Sequence, residues 1–280
     1  MGEPMAANLC RAGVDLTVYN RSDAAACRLL QLGAHRADSA ASLFSSCDTV
    51  ILMLADDHAT DSILDRAGTD FAPRVAGRLI INMGTHSPSY SRDLEEDIKL
   101  AGGDFVEAPV SGSRLPAEAG TLVGMLAGDT ALVARARPLL DPLCKSIFTT
   151  GAVPSAMTMK LAVNLYLITT VAALAEAANL AKAAALDAAL FEEIIASGPL
   201  CSDVAYAKLA KMVAQDFSPQ ASIRDVCKNA GLVADAAHEA FAETPMLSAA
   251  KRLFDVSYES GAGDQDMAAV VTAFSSLKPN

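Results

Sequence analysis

The sequence is poor in positive charge: its 22 Lys and Arg residues face 33 Asp and Glu, which gives a formal net charge of −11 at pH 7. Proteins that bind nucleic acid or an anionic membrane through phosphate groups need a basic surface. We therefore expect neither nucleic acid nor a membrane as a partner. A small anionic ligand is compatible with this sequence only if local cations and backbone N–H groups hold it against the overall charge.

The sequence also lacks clustered metal ligands and paired cysteines. Its six cysteines are widely scattered, with no Cys-x-x-Cys pair, and its four histidines are equally dispersed. Zinc sites and the disulfide frameworks of secreted domains both depend on close, recurring spacings. This pattern predicts reduced thiols, no metal site and a cytoplasmic protein.

No long apolar run is free of polar residues. The most apolar segment begins at Leu161, and it is interrupted by Asn164, Glu176, Asn179 and Lys182. A membrane-spanning helix rarely carries so many polar side chains, whereas a long buried helix between domains does. We therefore expect a buried interdomain helix here.

Length and patterning predict two domains, because 280 residues are more than one core usually organises. Residues 1–153 alternate short β-rich runs, such as DTVILML and RLIINMG, with amphipathic helices. This alternation predicts an α/β domain with a doubly wound parallel sheet that helices cover on both faces. Residues 154–280 show helical patterns only, and the first is a long Ala- and Leu-rich helix with Ser155 as its predicted N-cap.

The N-terminus lacks part of the motif that opens a dinucleotide-binding unit. That motif, Gly-x-Gly-x-x-Gly, lies between a strand and a helix, where the backbone approaches the pyrophosphate. Here Met1-Gly2 leads directly into a helical segment, so that only the last glycine is present, as Gly2. The context still favours a Rossmann-type domain, because the next strand ends at Asn20-Arg21-Ser22, near the expected position of the ribose-binding residue.

Arg21 favours NADP over NAD as the cofactor. NAD-binding proteins usually carry Asp or Glu near this position, and here Asn20 is followed by an arginine. A guanidinium can pair with the 2′-phosphate of NADP, and no carboxylate opposes it. The other interpretation of Arg21 is a solvated residue in a turn, and NAD remains the alternative cofactor.

The stretch MGEPMAANLCRAGVDLTVYNR resembles the N-terminal pattern of the β-hydroxyacid dehydrogenases. This family includes 3-hydroxyisobutyrate dehydrogenase, tartronate semialdehyde reductase and glyoxylate/succinic semialdehyde reductases. The similarity continues to GAGDQDMAAV near the C-terminus and so covers nearly the whole chain. Compared with the family pattern, about ten residues are missing, which comprise a central strand and two phosphate-loop glycines. We expect the loss to expose two strand edges and to require a rearrangement, a partner or further residues in that place.

The stretch EAPVSGSRLPAEAGTLVGMLAGD contains a Ser-Gly-Ser turn at residues 111–113, directly after a predicted strand. Such a turn presents N–H groups and hydroxyls in one concavity, which suits a carboxylate; an ordinary polar turn is the alternative. The resemblance implies that this loop holds the substrate carboxylate. The residues that it implies for substrate binding are Ser111, Gly112, Ser113, Arg114 and Thr121.

The same loop indicates a branch of the family. Ser113 stands where the commoner family pattern has glycine, and Ser-Gly-Ser followed by a basic residue resembles the glyoxylate/succinic semialdehyde reductases, for which NADPH is the usual cofactor. Leu115 and Ala119 depart from that branch, where a second lysine and an aspartate are usual. These departures leave the exact substrate open.

Lys160 lies in the otherwise apolar stretch MTMKLAVNLYL, four residues before Asn164. Residues i and i+4 share one face of a helix, so both side chains point to the same side. From the residues alone, a lysine whose ammonium extends to solvent is favoured over a catalytic one. The resemblance implies that Lys160 is the catalytic lysine and Asn164 its companion.

Four further residues match family positions that line the cofactor. Leu54 and Ala55 follow the strand DTVILM, and Thr85 follows RLIIN, with Gly84 in place of the usual serine. Arg224 occupies the place of a family lysine that closes over the cofactor. Together with Met1, Gly2 and residues 20–22, these form the predicted cofactor site.

The resemblance therefore implies an NADPH-dependent reductase of a small carboxylate-bearing aldehyde, glyoxylate or succinic semialdehyde. A 3-hydroxyisobutyrate-type dehydrogenase is the alternative within the same chemistry, and a catalytically silent NADP-binding or assembly module is the alternative from another class. The long apolar helix also predicts a homo-oligomer, because such helices often pack against a symmetry mate.

Overall fold

The computed structural model describes residues 1–20 and 23–276. The chain divides into two compact units, Met1–Lys160 and Leu161–Asn280. The first alternates strands and helices and the second is helical, which confirms the predicted fold class. The division falls inside a long helix that begins at Ser155, slightly later than the predicted boundary after residue 153.

The first unit contains eight strands among its described residues. All but one of them lie within a β-rich run of the sequence. The strands are β1 (Thr17–Val18), β2 (His35–Arg36), β3 (Thr49–Leu52), β4 (Leu79–Asn82), β5 (Asp104–Glu107), β6 (Val110–Ser111), β7 (Leu122–Gly128) and β8 (Cys144–Gly151). Strand β2 was not predicted, because a polar two-residue strand carries no alternating pattern.

Helices follow most of the strands of this unit. They are α1 (Gly2–Arg11), α2 (Asp23–Leu30), α3 (Ala40–Ser46), α4 (Asp57–Leu64), α5 (Phe71–Val75), α6 (Pro88–Leu100), α7 (Arg114–Ala119), α8 (Thr130–Leu140) and the first turns of α9 (Ser155–Ala183). Helix α6 begins as its sequence indicates: the Ser87 hydroxyl accepts a hydrogen bond from the Tyr90 N–H at 3.1 Å, and Pro88 occupies the first turn.

The main sheet is parallel from β3 through β4 to β5 and becomes antiparallel at β7. Strands β6 and β8 both pair with β7. The change of direction follows from the connection, because the chain returns from β5 through β6 and the short α7, without the longer crossover helix that a parallel neighbour needs. Two apolar clusters cover the faces of this sheet: Leu79 and Ile81 belong to one, Ile80 and Phe105 to the other.

Strands β1 and β2 form a separate two-stranded sheet and do not pair with β3. A cavity of about 620 Å³ lies where a strand between β1 and β3 would complete one continuous sheet. Both edges of this cavity are strand edges with no neighbouring strand among the described residues.

The second unit is built around α9. Its other elements are α10 (Ala188–Ser197), α11 (Asp203–Ala214), α12 (Ile223–Glu239), α13 (Pro245–Ser257), a π-helical turn (Tyr258–Ala262) and a 3-10 helix (Met267–Ser275). Its core joins Ile168 and Val171 of α9 to Val233, Phe254 and Val270. Each such side chain, once buried, contributes about 1.5–3 kcal/mol of transfer free energy.

Helix α9 is long and apolar enough to cross a membrane, the one such helix in the described part of the chain. Length and composition alone are weak evidence, because the core helix of a soluble protein has the same properties. The buried residues Val171 and Ala175 of α9 pack in the core of the second unit. Only 33% of the most apolar part of α9 is buried, so the expectation of a buried helix is met in part.

Candidate active site

The predicted cofactor loops lie at the carboxyl ends of adjacent parallel strands. Strands β3 and β4 pair with Leu52 opposite Asn82, so that Leu54-Ala55 and Gly84-Thr85 both follow at the same edge. A Cβ atom placed on Gly84 would lie 3.2 Å from the Leu54 carbonyl oxygen, which shows how closely the two loops approach. This edge is where open α/β sheets bind their ligands.

His86 explains why residue 84 is glycine. Its ring is fully buried, stacks on Tyr90 and bonds Asp57 through Nδ1 at 2.5 Å. A Cβ atom on Gly84 would lie 2.5 Å from His86 Nε2, so the imidazole occupies the space of any side chain at position 84. His86 was not predicted as a site residue, because a single dispersed histidine gives no signal in a sequence.

The amino end of α1 has the properties of a pyrophosphate site. Gly2 begins the helix, and the Met1 side chain provides no cap for its first-turn N–H groups. Those groups and the helix dipole favour an anion there. Gly2, Asn20 and Leu54 line one cavity. These three predicted cofactor residues thus line one cavity, and their contact with a dinucleotide stays a prediction. The predicted contacts of Arg21 and Ser22 lie outside the described residues.

The Ser-Gly-Ser turn begins in β6, as the predicted position after a strand requires, and the short helix α7 follows it. Gly112 has a φ of +132°, and a Cβ atom there would lie 2.6 Å from Leu122, so only glycine fits. Ser113 precedes α7, a short helix that the sequence did not indicate, and its side chain makes no cap hydrogen bond. Arg114 is exposed and bonds Glu118 at 2.7 Å, and the Thr121 hydroxyl donates to the Pro116 carbonyl at 3.4 Å.

Lys160 and Asn164 are both buried on α9, with 8% and 3% of their surfaces exposed. Among the described residues, the Asn164 Nδ2 group has no hydrogen-bond partner, and no carboxylate pairs with the Lys160 ammonium. Burial lowers the pKa of Lys160 from its ordinary value of 10.5 to about 8. An unpaired buried cation one helical turn from an unpaired amide donor is costly in a folded protein and is typical of a site that binds a ligand.

Glu107 holds the first turn of α9. One oxygen of its buried carboxylate accepts the N–H groups of Ala156 and Met157 at 3.2 and 3.3 Å. The predicted cap, Ser155, lies inside the helix instead, with its hydroxyl 2.9 Å from that of Thr150. The prediction was wrong because a carboxylate 49 residues earlier does the capping. Glu107 thus ties the helix that carries Lys160 to the main sheet.

We expect the stability of the protein to fall as pH rises from about 4.5 to 7 through Glu107. Burial raises the pKa of Glu107 from 4.5 to about 7, against the lowering effects of the Ser91 hydroxyl and of the N–H groups of Met157 and Ala156. The native state therefore binds this proton more tightly than the unfolded state, and the contribution is lost as pH rises. The free energy of unfolding should therefore differ by up to about 3 kcal/mol between these two pH values. Glu107→Gln keeps an acceptor oxygen but cannot titrate, so it should remove this difference.

Urea denaturation at pH 5 and pH 8 measures this difference. Glu96→Gln, at an exposed position on α6, controls for the loss of one negative charge. An unchanged pH dependence in Glu107→Gln would show that the carboxyl group does not titrate in this range.

Arg224 lies in the second unit and forms hydrogen bonds with residues of that unit. Its guanidinium bonds Asp264 and the Tyr258 hydroxyl, each at 2.9 Å. These contacts give Arg224 a role in its own unit, and its contact with the cofactor stays a prediction. No group of three or more potential metal ligands occurs among residues 1–20 and 23–276.

Comparison with known proteins agrees with this geometry. A family model described as the NAD binding domain of 6-phosphogluconate dehydrogenase matches residues 1–151. A second model, described as "NAD-binding of NADP-dependent 3-hydroxyisobutyrate dehydrogenase", matches residues 155–274. The chain belongs to the β-hydroxyacid dehydrogenase family. It is therefore an NAD(P)-dependent dehydrogenase or reductase of the β-hydroxyacid type.

Relatives of this β-hydroxyacid dehydrogenase match it over nearly its full length. The chain is 33% identical over 279 residues to glyoxylate/succinic semialdehyde reductase 2, chloroplastic, of Arabidopsis thaliana. The aligned region covers 99% of this chain and 78% of that protein. The 3-hydroxyisobutyrate dehydrogenase of Mycobacterium tuberculosis, solved with L-serine, is 27% identical with a TM-score of 0.85, over 98% and 95% of the two chains. The corresponding Salmonella typhimurium structure has a TM-score of 0.88 at 24% identity, over 97% and 95%, and shows the shared fold.

Proposed function

We propose that this dehydrogenase reduces a small carboxylate-bearing aldehyde, glyoxylate or succinic semialdehyde, with NADPH as the reductant and Lys160 as the proton donor. The observation that carries the proposal is a buried lysine and a buried amide on α9: Lys160 forms no ion pair among the described residues, and Asn164 Nδ2 has no hydrogen-bond partner there. Lys160 offers a proton and a positive charge, and Asn164 offers an amide N–H, on the same helical face. A carbonyl oxygen that becomes an alkoxide needs both.

The pKa of Lys160 suits this role. NADPH, when bound, would supply the hydride that reduces the carbonyl carbon. The Lys160 ammonium stabilises the charge that develops on the oxygen and then gives it a proton, which yields the hydroxy acid. With a pKa of about 8, Lys160 is mostly protonated at neutral pH and still gives up its proton readily. In the reverse direction the neutral amine accepts the proton.

The turn at residues 111–113 supports a substrate that carries a carboxylate. Gly112 has a backbone conformation and a surrounding space that exclude a side chain, and it lies between two serine hydroxyls. A concave turn with hydroxyls and N–H groups binds a carboxylate oxygen without a bulky side chain. Arg114 lies next to this turn, and its guanidinium would have to leave Glu118, which it bonds at 2.7 Å, to pair with a substrate carboxylate.

The choice of substrate follows the names of the relatives. The 33% identical plant protein is named for glyoxylate and succinic semialdehyde, and Ser113 agrees with that branch. A 3-hydroxyisobutyrate-type dehydrogenase is the second candidate, because the Mycobacterium tuberculosis enzyme of that name is 27% identical and has the same fold.

The test is NADPH consumption at pH 7 with glyoxylate and succinic semialdehyde, each against a neutral aldehyde of matched length. We expect kcat/KM to be at least about 10²-fold higher for the carboxylates, because groups built to bind a carboxylate are left unpaired by the neutral analogue. Oxidation of 3-hydroxyisobutyrate with NADP is the parallel assay. Equal rates with neutral and acidic aldehydes would contradict the proposal, and turnover of 3-hydroxyisobutyrate alone would establish the second candidate.

We also propose that the enzyme is a homo-oligomer. Helix α10 has no buried residue, although it is strongly apolar. Large side chains are exposed on it and on its flanking segments, at Leu186, Leu190, Ile194 and Leu200. Apolar surface of this kind usually packs against another subunit. Sedimentation equilibrium of the purified chain tests this, and a monomer would contradict it.

A further inference from the structure

A side-chain hydrogen bond joins the two predicted cofactor loops of the main sheet. The β3 loop, residues 53–56, connects β3 to α4, and the β4 loop, residues 83–87, connects β4 to α6. His86 Nδ1 lies 2.5 Å from a carboxylate oxygen of Asp57, the first residue of α4. Because an ionised carboxylate only accepts hydrogen bonds, Nδ1 carries the proton and donates it. The bond therefore connects the end of one loop to the end of the other.

The imidazole of His86 is held from several directions. Its ring is fully buried and stacks on Tyr90, with the two ring centroids 4.9 Å apart. A Cβ atom on Gly84 would lie 2.5 Å from Nε2, so the ring also fills the side-chain space of that residue. The Tyr90 hydroxyl donates to Asp61 at 2.7 Å, so two carboxylates one turn apart on α4 bind the two stacked rings. These contacts fix the imidazole relative to α4 and to the β4 loop.

His86 also contacts the helix that carries Lys160. The backbone N–H of His86 donates to the sulfur atom of Met157 at 3.4 Å. Met157 lies in the first turn of α9, three residues before Lys160, and its own N–H donates to Glu107. A single residue thus contacts the end of the β3 loop, the β4 loop and the start of α9. Its position connects the place of the predicted cofactor loops to the place of the proposed proton donor.

The second ring nitrogen of His86 makes this arrangement unfavourable for stability. Nε2 is buried and has no hydrogen-bond partner in the part of the chain that the structure describes. An unpaired buried polar atom destabilises a folded protein, so an apolar side chain would suit the fold better here. Polar groups that break such a rule are typical of functional sites. Because the ring is fully buried, it acts on a ligand only through the loops that it holds.

We propose that His86 is a positioning residue, whose bond to Asp57 holds the two cofactor loops in a fixed place relative to the first turns of α9. The bond thereby aligns the hydride donor with the Lys160 ammonium. Hydride and proton go to the two ends of one carbonyl group, and a displacement of about 1 Å can cost about 10²-fold in rate. The inference rests on the proposed function for the role of Lys160. It adds Asp57 and His86, neither of which was a predicted site residue.

Asp57→Ala and Asp57→Asn test the hydrogen bond. The asparagine amide oxygen still accepts the Nδ1 proton of His86, whereas alanine removes the acceptor. In Asp57→Ala we expect kcat for aldehyde reduction to fall by about 10–10²-fold, with the aldehyde KM within about threefold of wild type. In Asp57→Asn, kcat should stay within about threefold of wild type. The kinetic isotope effect with NADPH deuterated at the transferred position should rise in Asp57→Ala, because hydride transfer then limits turnover. Partial unfolding would lower the active fraction and leave the isotope effect unchanged.

Amide hydrogen exchange of the cofactor-free protein gives a readout that does not depend on activity. In Asp57→Ala we expect exchange at least about tenfold faster at residues 54–57 and 84–86, and exchange as in wild type within β4 and β5. Asp61→Ala is the matched control, because it removes the carboxylate one turn further along α4, which binds Tyr90. It should lower the melting temperature and leave both the isotope effect and the exchange of the two loops unchanged.

His86→Leu breaks the same bond from the other side. Leucine is apolar, so this variant should melt no lower than wild type although its kcat falls. The double variant Asp57→Ala/His86→Leu should be no slower than the slower single variant, because both substitutions remove one interaction.

Three results would overturn the proposal: additive losses of rate in the double variant, an isotope effect unchanged in Asp57→Ala, or equal losses in Asp57→Asn and Asp57→Ala. If the wild-type enzyme turns over none of the aldehyde acids, the proposed function fails. Hydrogen exchange in Asp57→Ala then decides by itself whether the bond holds the two loops, and exchange as in wild type would overturn the inference.

Discussion

Lys160→Met should lower kcat/KM for aldehyde reduction by about 10²–10⁴ and at the same time make the protein more stable. The loss of activity follows if the ammonium donates the proton to the substrate. The gain in stability follows from burial: at pH 7 the native state holds a charge whose pKa burial has lowered from 10.5 to about 8. Methionine removes a cost of about 3 kcal/mol.

Both the stability and the activity of the wild-type protein should change with pH as Lys160 loses its proton. A lysine with a lowered native pKa destabilises the protein below about pH 8, and the cost disappears as pH rises from about 8 to 10.5. Wild-type protein should therefore gain stability relative to Lys160→Met across this range. For the wild-type enzyme, kcat/KM should fall above about pH 8 for reduction and rise through the same pH for oxidation.

Lys182→Met is the matched control, because Lys182 lies on the same helix and is exposed. It should leave both activity and the melting temperature unchanged. Activity assays and thermal denaturation of the three proteins provide the measurements. A Lys160→Met enzyme that keeps its activity would remove the proton-donor role, and one that is less stable than wild type would show that the ammonium has a partner.

Asp266→Asn should lower the free energy of unfolding of the second unit by about 3–5 kcal/mol. Asp266 is fully buried and binds Lys208 Nζ through both oxygens, at 2.8 and 2.9 Å. It also accepts the N–H groups of Gln220, Ala221 and Ala268. Burial alone would raise its pKa, but Lys208 and these N–H groups hold the pKa below its ordinary value. Its contribution is therefore lost as pH falls.

The reason for the large effect is the lysine that remains. Lys208 is itself buried, so neutralising Asp266 leaves an uncompensated cation in the core. The double variant Lys208→Met/Asp266→Leu should recover a large part of the loss, because it removes both charges. Asp264→Asn, two residues away and exposed, is the control and should unfold at the wild-type urea concentration. A double variant as unstable as Asp266→Asn would show that the N–H contacts, and not the ion pair, carry the stability.

Local patterns of the sequence predicted much of the fold. DTVILML and RLIINMG became β3 and β4, Ser87-Pro88 began α6, and the second half of the chain is helical. These signals are reliable because periodicity, capping and turn conformation depend on neighbours within a few residues. Gly112 belongs to the same class, since its positive φ is a property of the turn itself.

The candidate site could be predicted only in part. Spacing placed Lys160 and Asn164 on one helical face, but the burial and missing partners that make them a site are tertiary facts. Nothing near Gly84 in the sequence shows that the His86 ring fills its side-chain space. The role of Glu107 was missed for the same reason, because its partners on α9 lie 49 and 50 residues later.

The sequence by itself determined most of the strands and helices, and the helical character of the second half of the chain. The tertiary structure decided which strands are neighbours: β7 runs antiparallel to β5, and β1 and β3 face each other across an open cavity. Local propensity arises from contacts close in the chain. Strand pairing and burial arise from contacts between distant segments, which depend on how the whole chain packs.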